Sequence, residues 1–282
     1  MSTKSSLPPL LFVHGAHHGA WCWEEHFLPY FSSRGFSCYA PNLRGHGGCE
    51  GFEKLHTFSL SDYMDDVLEV MVPLKEKPVL IGHSMGGAIV QKIAHACPDK
   101  VKAVILLASV PPQGMLKDGL RLFLIQVREG FPVLLLNRRK HSDFLVQLFF
   151  SNRLTVEEKY KYVKLLQPES RQAIWDLSRP IVPMPTHSLW AGLTGRRSQG
   201  ISRFRLSPQV PMLVLGSKKD AIFPEKTIKN IKNIYMEPSI IFHDMCHDMM
   251  LDPEWMRVAD AMYTFLSEMV PATEEGRTDR EK

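Results

Sequence analysis

Residues 82–86, with the sequence GHSMG, restrict the possible folds of this chain more than any other segment. They follow a short apolar run and precede a stretch predicted to be a helix that ends before Pro98. A Gly-x-Ser-x-Gly segment between a strand and a helix forms a sharp turn that exposes the serine hydroxyl. The alternative, an incidental serine in a glycine-rich turn, is disfavoured by this context. We therefore predict that Ser84 is a nucleophile.

Six short apolar runs bounded by Gly and Pro predict six strands, at residues 10–14, 37–40, 78–82, 101–108, 211–215 and 239–243. Continuous apolar character is typical of strands in a parallel sheet that is covered on both faces. Amphipathic stretches between the runs predict helices, one of them capped by Ser59 with Asp62 at its third position. Two later helices are predicted at 225–234 and 254–269. This alternation predicts a doubly wound, mostly parallel α/β sheet.

Residues 111–206 interrupt the alternation, because they contain amphipathic helical patterns and no convincing core strand. We predict that they form a helical cap over the C-terminal edge of the sheet, where open α/β sheets bind ligands. Residues 1–110 and 207–271 then form the α/β core, and the charged residues 272–282 form a disordered tail. Apolar side chains of the cap are expected to pack on each other and to line the pocket mouth: Leu120, Phe123, Leu124, Phe131, Phe144, Leu148, Phe149 and Phe150.

A serine nucleophile needs a base, and the base needs a carboxylate that orients it. Asp220 follows the predicted strand 211–215 and His247 follows the predicted strand 239–243, so both are expected at the sheet edge that carries Ser84. Serine, aspartate and histidine also occur in the chain order typical of this kind of nucleophile. His243 is the competing base, but it lies inside an apolar strand run, and we interpret it as structural.

The first predicted strand leads into residues 14–19, with the sequence HGAHHG. The backbone N–H groups of Ala16 and of Met85, the residue after the nucleophile, are predicted to point at one spot and form an oxyanion hole. His14, His17 and His18 could instead bind a metal ion, but the loop has no carboxylate and its spacing is unusual for zinc. We predict that the chain uses neither a metal nor another cofactor.

Composition limits the remaining classes of function. The chain has 34 Lys+Arg and 30 Asp+Glu, and the net charge of +4 is too small to indicate a nucleic-acid partner. Five cysteines in 282 residues do not indicate a disulfide framework and favour a reducing, cytoplasmic location. No run approaches the ~18 apolar residues of a membrane span. Basic clusters at 138–140 and between residues 196 and 205 are expected to be solvated, with an anionic substrate group or a membrane surface as the alternative.

The chain resembles the α/β-hydrolase superfamily over essentially its whole length. The pair His14-Gly15, residues 82–87, Asp220 and His247 match the family's oxyanion loop, nucleophile elbow, acid and base in order and spacing. Residues 14–23, with the sequence HGAHHGAWCW, are similar to the branch that holds plant methylesterases and hydroxynitrile lyases, and to related bacterial esterases.

Differences between this sequence and other members of the family argue against some of the reactions that the resemblance would otherwise imply. The lyases carry threonine where this chain has Gly15, and lysine after the catalytic histidine where it has Asp248, which argues against cyanohydrin cleavage. Ser84 in place of an aspartate argues against haloalkane dehalogenase and epoxide hydrolase chemistry. Trp21 and Trp23, just after the oxyanion loop, are predicted to pack in the core rather than stack on substrate.

The predicted function is a serine hydrolase that cleaves a carboxylic ester through an acyl-serine intermediate. Ser84 attacks the acyl carbon, His247 transfers the proton and Asp220 holds the imidazole. The substrate is expected to be a small-molecule ester with an apolar acyl part, although a thioester, lactone, lysophospholipid or carbon–carbon bond would look the same. A binding or receptor-type protein that turns over little is the alternative from another class. Substrate-binding residues and oligomeric state stay unassigned.

Overall fold

The computed structural model describes residues 7–128, 146–183 and 210–269. Its strands form one sheet in the order β2-β1-β3-β4-β5-β6, and every neighbouring pair is parallel. Each of the six predicted runs overlaps one strand, which confirms the predicted fold class. The strands are β1 (Leu10–Val13), β2 (Cys38–Tyr39), β3 (Val79–His83), β4 (Ala103–Leu107), β5 (Met212–Ser217) and β6 (Ser239–Phe242).

Helices cover both faces of this sheet. Successive side chains of a strand point to opposite faces, and every residue of β1, β3 and β4 is buried, so neither face is open to solvent. The described α-helices are α1 (Trp21–Glu24), α2 (Phe27–Ser32), α3 (Leu60–Met71), α4 (Met85–Ala96), α5 (Leu116–Arg128), α6 (Val156–Leu165), α7 (Arg171–Leu177), α8 (Glu225–Tyr235) and α9 (Trp255–Glu268). Helix α3 packs on α4, and α2 packs on α9.

Local signals in the sequence explain where these helices begin. The Ser59 hydroxyl accepts a hydrogen bond from the Asp62 N–H at 3.2 Å, and the Asp62 carboxylate accepts one from the Ser59 N–H at 2.7 Å. Thr155 and Glu158 form the same predicted capping box at the start of α6. Trp23 is fully buried, with its ring 5.3 Å from that of Phe12, so it packs in the core as predicted.

The strand order places a crevice beside the ends of β1 and β3. The chain runs from β1 outward to β2 and then returns to add β3 on the other side of β1, so the winding direction reverses between these neighbours. Ligands bind open α/β sheets at such reversals, outside the carboxyl ends of the strands. The loop 14–19 leaves β1 there, and the turn at Ser84 leaves β3 there. The fold therefore brings together two segments that are far apart in the sequence.

The inserted stretch is helical where it is described, with α5, α6 and α7 and no strand among its described residues. Leu120 and Leu124 are 58% and 57% exposed, so the expectation that they pack inside the cap is wrong; they point outward from α5. Phe149 and Phe150 are buried as expected. Phe131, Phe144, the side chain of Phe123, the basic clusters and the tail lie outside the described residues, and the cap boundaries stay a prediction. None of the described helices combines the length and apolar character that crossing a bilayer requires.

Candidate active site

The nucleophile elbow has a strained backbone at its centre. Ser84 has a φ of 51° between β3 and α4, in the left-handed region that non-glycine residues rarely adopt. A Cβ on Gly82 would lie 2.4 Å from the backbone oxygen of Gly86, and one on Gly86 would lie 2.2 Å from the oxygen of Val13. Both glycines are therefore required for the strand and helix to approach this closely. Ser84 keeps 9% of its surface exposed.

Asp220 and His247 lie together at the ends of β5 and β6. The Nδ1–H of His247 donates to Oδ2 of Asp220 at 2.9 Å, and both side chains are buried. The other carboxylate oxygen accepts the N–H groups of Ile222 and Phe223 at 2.8 and 2.9 Å. The aspartate is fixed by its own loop, so it can hold the imidazole in one orientation. Nε2 of His247 has no hydrogen-bond partner among the described residues, which leaves it available for a proton.

His83 connects the elbow to the loop that carries His247. Its Nε2–H donates to the backbone oxygen of His247 at 3.2 Å, and the two rings are 4.7 Å apart. Burial and the nearby His247 hold the pKa of His83 well below its usual value, so this ring is neutral. The rings of Phe149 and Phe223 lie 5.9 and 5.6 Å from that of His247 and form an apolar wall around it.

The loop 14–19, which is predicted to form part of the oxyanion hole, is held beside Ser84 by His14. The Nδ1–H of His14 donates to the Gly15 oxygen at 2.9 Å, and its Nε2 accepts the N–H of Leu43 at 3.1 Å. Burial, assisted by His46, lowers the pKa of His14 to about 3, so the ring stays neutral and keeps this pattern. The loop runs directly against the elbow, since a Cβ on Gly15 would lie 3.0 Å from the Cβ of Ser84.

The N–H groups predicted to form the oxyanion hole have no acceptor among the described residues. In a trans peptide the Ala16 N–H points away from the Gly15 oxygen, which is already held by His14. Met85 is the first residue of α4, so its N–H has no acceptor within the helix. Neither N–H donates to a protein acceptor within the described ranges. Their role stays a prediction.

The three histidines of the loop point to separate partners rather than to a common centre. His14 bonds Gly15 and Leu43, His17 contacts the Gln167 oxygen through Nδ1 at 2.9 Å, and His18 bonds Asp248. A different group, His83, His247 and Asp248, places ligand-type atoms within 4.8 Å of one another. The absence of a metal from the mechanism therefore stays a prediction.

His243 differs from its predicted position. Strand β6 ends one residue earlier, at Phe242, and His243 is exposed rather than held within the sheet. The structural role expected for it is wrong, because strand pairing ends at Phe242, the last apolar residue of the run, and His243 already lies beyond the sheet. Its position also separates it from the buried Asp220, which bonds His247 instead.

Glu169, which the sequence did not single out, joins the inserted stretch to the oxyanion loop. Its buried carboxylate accepts the Tyr63 hydroxyl at 2.8 Å and the His17 N–H at 3.3 Å, and lies 3.2 Å from Nε2 of His46. Burial raises the pKa of Glu169, but His46 together with hydrogen bonds from the Ser170 N–H and Tyr63 outweighs burial and lowers it to about 2. Burial lowers the pKa of His46, but Glu169 together with backbone hydrogen bonds to Arg44 and Pro168 raises it more, so the net pKa of His46 is raised. Glu169 and His46 are therefore both charged at mildly acidic pH.

We expect Glu169→Gln to destabilise the protein most at about pH 5.5. The ionised carboxylate stabilises the folded state above the usual pKa of 4.5, and this contribution disappears as the pH falls towards about 2. The contribution of protonated His46 is present below its usual pKa of 6.5 and disappears as the pH rises through the raised value. The Tm difference from the wild type should therefore shrink at about pH 3 and at about pH 9. The exposed Glu24→Gln is the control, and equal Tm differences for Glu169→Gln at all three pH values would contradict the expectation.

Comparison with known proteins agrees with this fold. A model of the alpha/beta hydrolase family matches residues 10–261, so the chain belongs to the alpha/beta hydrolase family. A solved methylesterase structure from Arabidopsis superposes with a TM-score of 0.65 at 19% identity, covering 93% of this chain and 99% of its own. That likeness shows the shared fold.

Two curated relatives match a shorter part of the chain. Norfluorocurarine synthase 1 of Strychnos nux-vomica is 35% identical over 108 residues, which are 37% of this chain and 40% of that protein. Methylesterase 7 of Arabidopsis thaliana is 32% identical over 113 residues, 39% of this chain and 42% of that protein. The chain thus spans about two fifths of the length of these relatives. Their names denote different activities, so the reaction has to be argued from the chemistry of the site.

Proposed function

We propose that this protein is a serine hydrolase that cleaves a carboxylic ester through an acyl-serine intermediate. The observation that carries the proposal is the buried hydrogen bond from His247 Nδ1–H to Asp220. Nε2 of His247 has no hydrogen-bond partner among the described residues, and the His247 ring lies 4.7 Å from that of His83, the residue before Ser84. A carboxylate on Nδ1 fixes the tautomer in which Nε2 can accept a proton. The methylesterase name of one relative supports an ester as the substrate class.

In the first half-reaction, the Ser84 oxygen attacks the acyl carbon while Nε2 of His247 takes its proton. The electron pair of the carbonyl bond moves onto the carbonyl oxygen, where the N–H groups of Ala16 and Met85 stabilise the charge. The carbonyl re-forms as the bond to the alcohol oxygen breaks. His247 returns the proton to the departing alcohol, and the acyl group stays on Ser84.

In the second half-reaction, water replaces the alcohol. His247 removes a proton from the water as its oxygen attacks the acyl-serine, and the same N–H groups hold the second oxyanion. When this tetrahedral intermediate breaks down, the carbonyl re-forms and the bond between the acyl carbon and the Ser84 oxygen breaks. Ser84 takes a proton back from His247, and the carboxylic acid leaves. Each donor of this kind contributes about 3 kcal/mol to lowering the barrier in a comparable hydrolase.

A fluorophosphonate probe together with a p-nitrophenyl ester assay tests the proposal. We expect the probe to label Ser84, and the protein to release p-nitrophenol with or without a chelator. Labelling at another serine, or absence of turnover, would contradict the proposal and favour a binding protein. Activity that is lost with a chelator and restored by zinc would contradict the metal-free mechanism.

The substrate is proposed to carry an apolar acyl part, because Phe149 and Phe223 line the space around His247. Each buried methylene contributes about 0.8 kcal/mol, close to fourfold in binding. We therefore expect kcat/KM for p-nitrophenyl esters to rise from acetate towards medium chains and to fall once the pocket is full. An ester of equal length with a polar acyl terminus is the control. A series that is flat or falls from acetate onward would indicate a small or polar acyl group.

A further inference from the structure

The mechanism above leaves a second buried carboxylate unused, that of Asp248, the residue after His247. Its side chain is fully buried, and Oδ2 accepts a hydrogen bond from Nε2–H of His18 at 2.8 Å. The other oxygen, Oδ1, lies 3.6 Å from Nε2 of His83 and has no hydrogen-bond partner within the described residues. The Asp248 N–H donates to the Phe149 oxygen at 3.0 Å. The carboxylate is thus fixed beside the loop that carries the base.

His18 uses both of its ring nitrogens as donors. Nδ1–H donates to the backbone oxygen of Ala16 at 2.7 Å, and Nε2–H donates to Asp248. A carbonyl and a carboxylate only accept hydrogen bonds, so both nitrogens carry protons and the ring is an imidazolium. Burial lowers the pKa of His18, but Asp248, the Ala16 oxygen and Glu169 together outweigh burial and raise it, in agreement with this assignment.

The His18–Asp248 pair therefore joins two loops whose relative position matters for the proposed reaction. One end of the His18 ring holds Ala16, whose N–H belongs to the predicted oxyanion hole. The other end holds Asp248, which is covalently next to His247. A stacked contact with the ring of Trp21, 5.3 Å away, fixes the orientation of the His18 ring. Movement of either loop would have to break one of these two hydrogen bonds.

Stability alone does not account for such a pair. Removing two charges from water costs as much as, or more than, their attraction returns, so a buried ion pair is often no more stabilising than apolar residues of equal volume. What apolar residues cannot supply is a pair of directional bonds between two loops. Misplacing catalytic groups by ~1 Å can cost about 10²-fold in rate.

We propose that His18 and Asp248 are positioning residues, whose hydrogen-bonded pair sets the Ala16 peptide and the His247 loop in the geometry that acyl transfer requires. The proposal rests on the ester hydrolase function proposed above. Both side chains are fully buried, so we expect their loss to affect the turnover of bound substrate more than its binding.

The test compares Asp248→Asn, His18→Gln and the double variant with a matched control, Asp252→Asn. Asp252 is also fully buried and follows His247 by five residues. It accepts the Cys246 N–H at 3.4 Å and pairs with Arg153 at 2.5 Å, but among the described residues it bonds none of loop 14–19, so it contacts the base loop without joining the two loops. We expect each variant of the pair to lower kcat about 10- to 100-fold with KM within about threefold. The double variant should be no slower than the slower single variant, because the two residues act as a unit. Asp252→Asn should lower Tm and keep kcat within about threefold.

Three results distinguish failure of this proposal from failure of the one on which it rests. Suppose that the wild type turns over esters, but that Asp248→Asn loses no more kcat than Asp252→Asn does at a comparable fall in Tm. This result overturns the positioning role and leaves the hydrolase proposal standing. Multiplying losses in the double variant also overturn the positioning role, since they indicate independent residues. A wild-type protein with no ester turnover and no probe label on Ser84 overturns the hydrolase proposal, and the positioning role with it.

Discussion

Replacing Ser84 with alanine is expected to lower ester turnover at least ~10³-fold while the protein stays folded. The covalent step is lost, because alanine offers no oxygen for attack on the acyl carbon. The fold should persist, since the elbow depends on Gly82 and Gly86 rather than on the hydroxyl. The measurements are kcat/KM with a p-nitrophenyl ester and Tm. The exposed Ser32→Ala is the control and should match the wild type in both.

Labelling by the fluorophosphonate probe gives a second measure of the same variant. Ser84→Ala should lose the label completely, whereas Ser32→Ala should keep it at Ser84. If the Ser84 variant hydrolyses the ester at the wild-type rate, or still takes the label, the nucleophile has been assigned to the wrong residue.

Asp220→Asn is expected to lower kcat by about 10⁴-fold with little change in fold. The N–H groups of Ile222 and Phe223 should keep the amide oxygen where Oδ1 now lies, so the amide NH₂ would face His247. An NH₂ donor favours the imidazole tautomer with its proton on Nε2, which cannot accept a proton from Ser84. Steady-state kinetics combined with circular dichroism would separate this effect from unfolding.

His243→Gln is the matched control for this prediction. Its side chain is exposed just beyond β6, so we expect activity within about twofold and an unchanged Tm. Should His243→Gln be inactive while a folded His247→Gln retains turnover, the base and its carboxylate would both have to be reassigned.

The fold and the positions of the three proposed catalytic residues could be predicted because short-range signals mark them. The glycines at 82 and 86 indicate that the strand and the helix approach each other closely, because a Cβ at either position would clash. Asp220 and His247 each follow an apolar run, and parallel strands end at one edge of the sheet. Local sequence therefore carries enough information to place all three residues at the same edge.

Pairs that are distant in the chain could not be predicted in this way. His18 and Asp248 are 230 residues apart, and His17 and Glu169 are 152 residues apart. No periodicity or spacing links such residues, because their contact depends on how loops pack over the finished sheet. Strand ends are hard to predict for a related reason: neither Phe242 nor His243 is a residue that breaks a strand, so the sequence predicts His243 within the sheet although pairing stops at Phe242.

The hydrogen bonds between the inserted stretch and the oxyanion loop limit how this protein can be re-engineered. The Gln167 N–H donates to the His17 oxygen at 2.9 Å, its side-chain oxygen accepts the Gly47 N–H at 2.7 Å, and Glu169 accepts the His17 N–H. Residues 167–170 are thus bonded to the core, although the sequence places them within the insertion. A chimera that exchanges the insertion for one from a relative should keep these four residues with the recipient core, because a graft that removes them would also remove bonds that hold the His17 backbone.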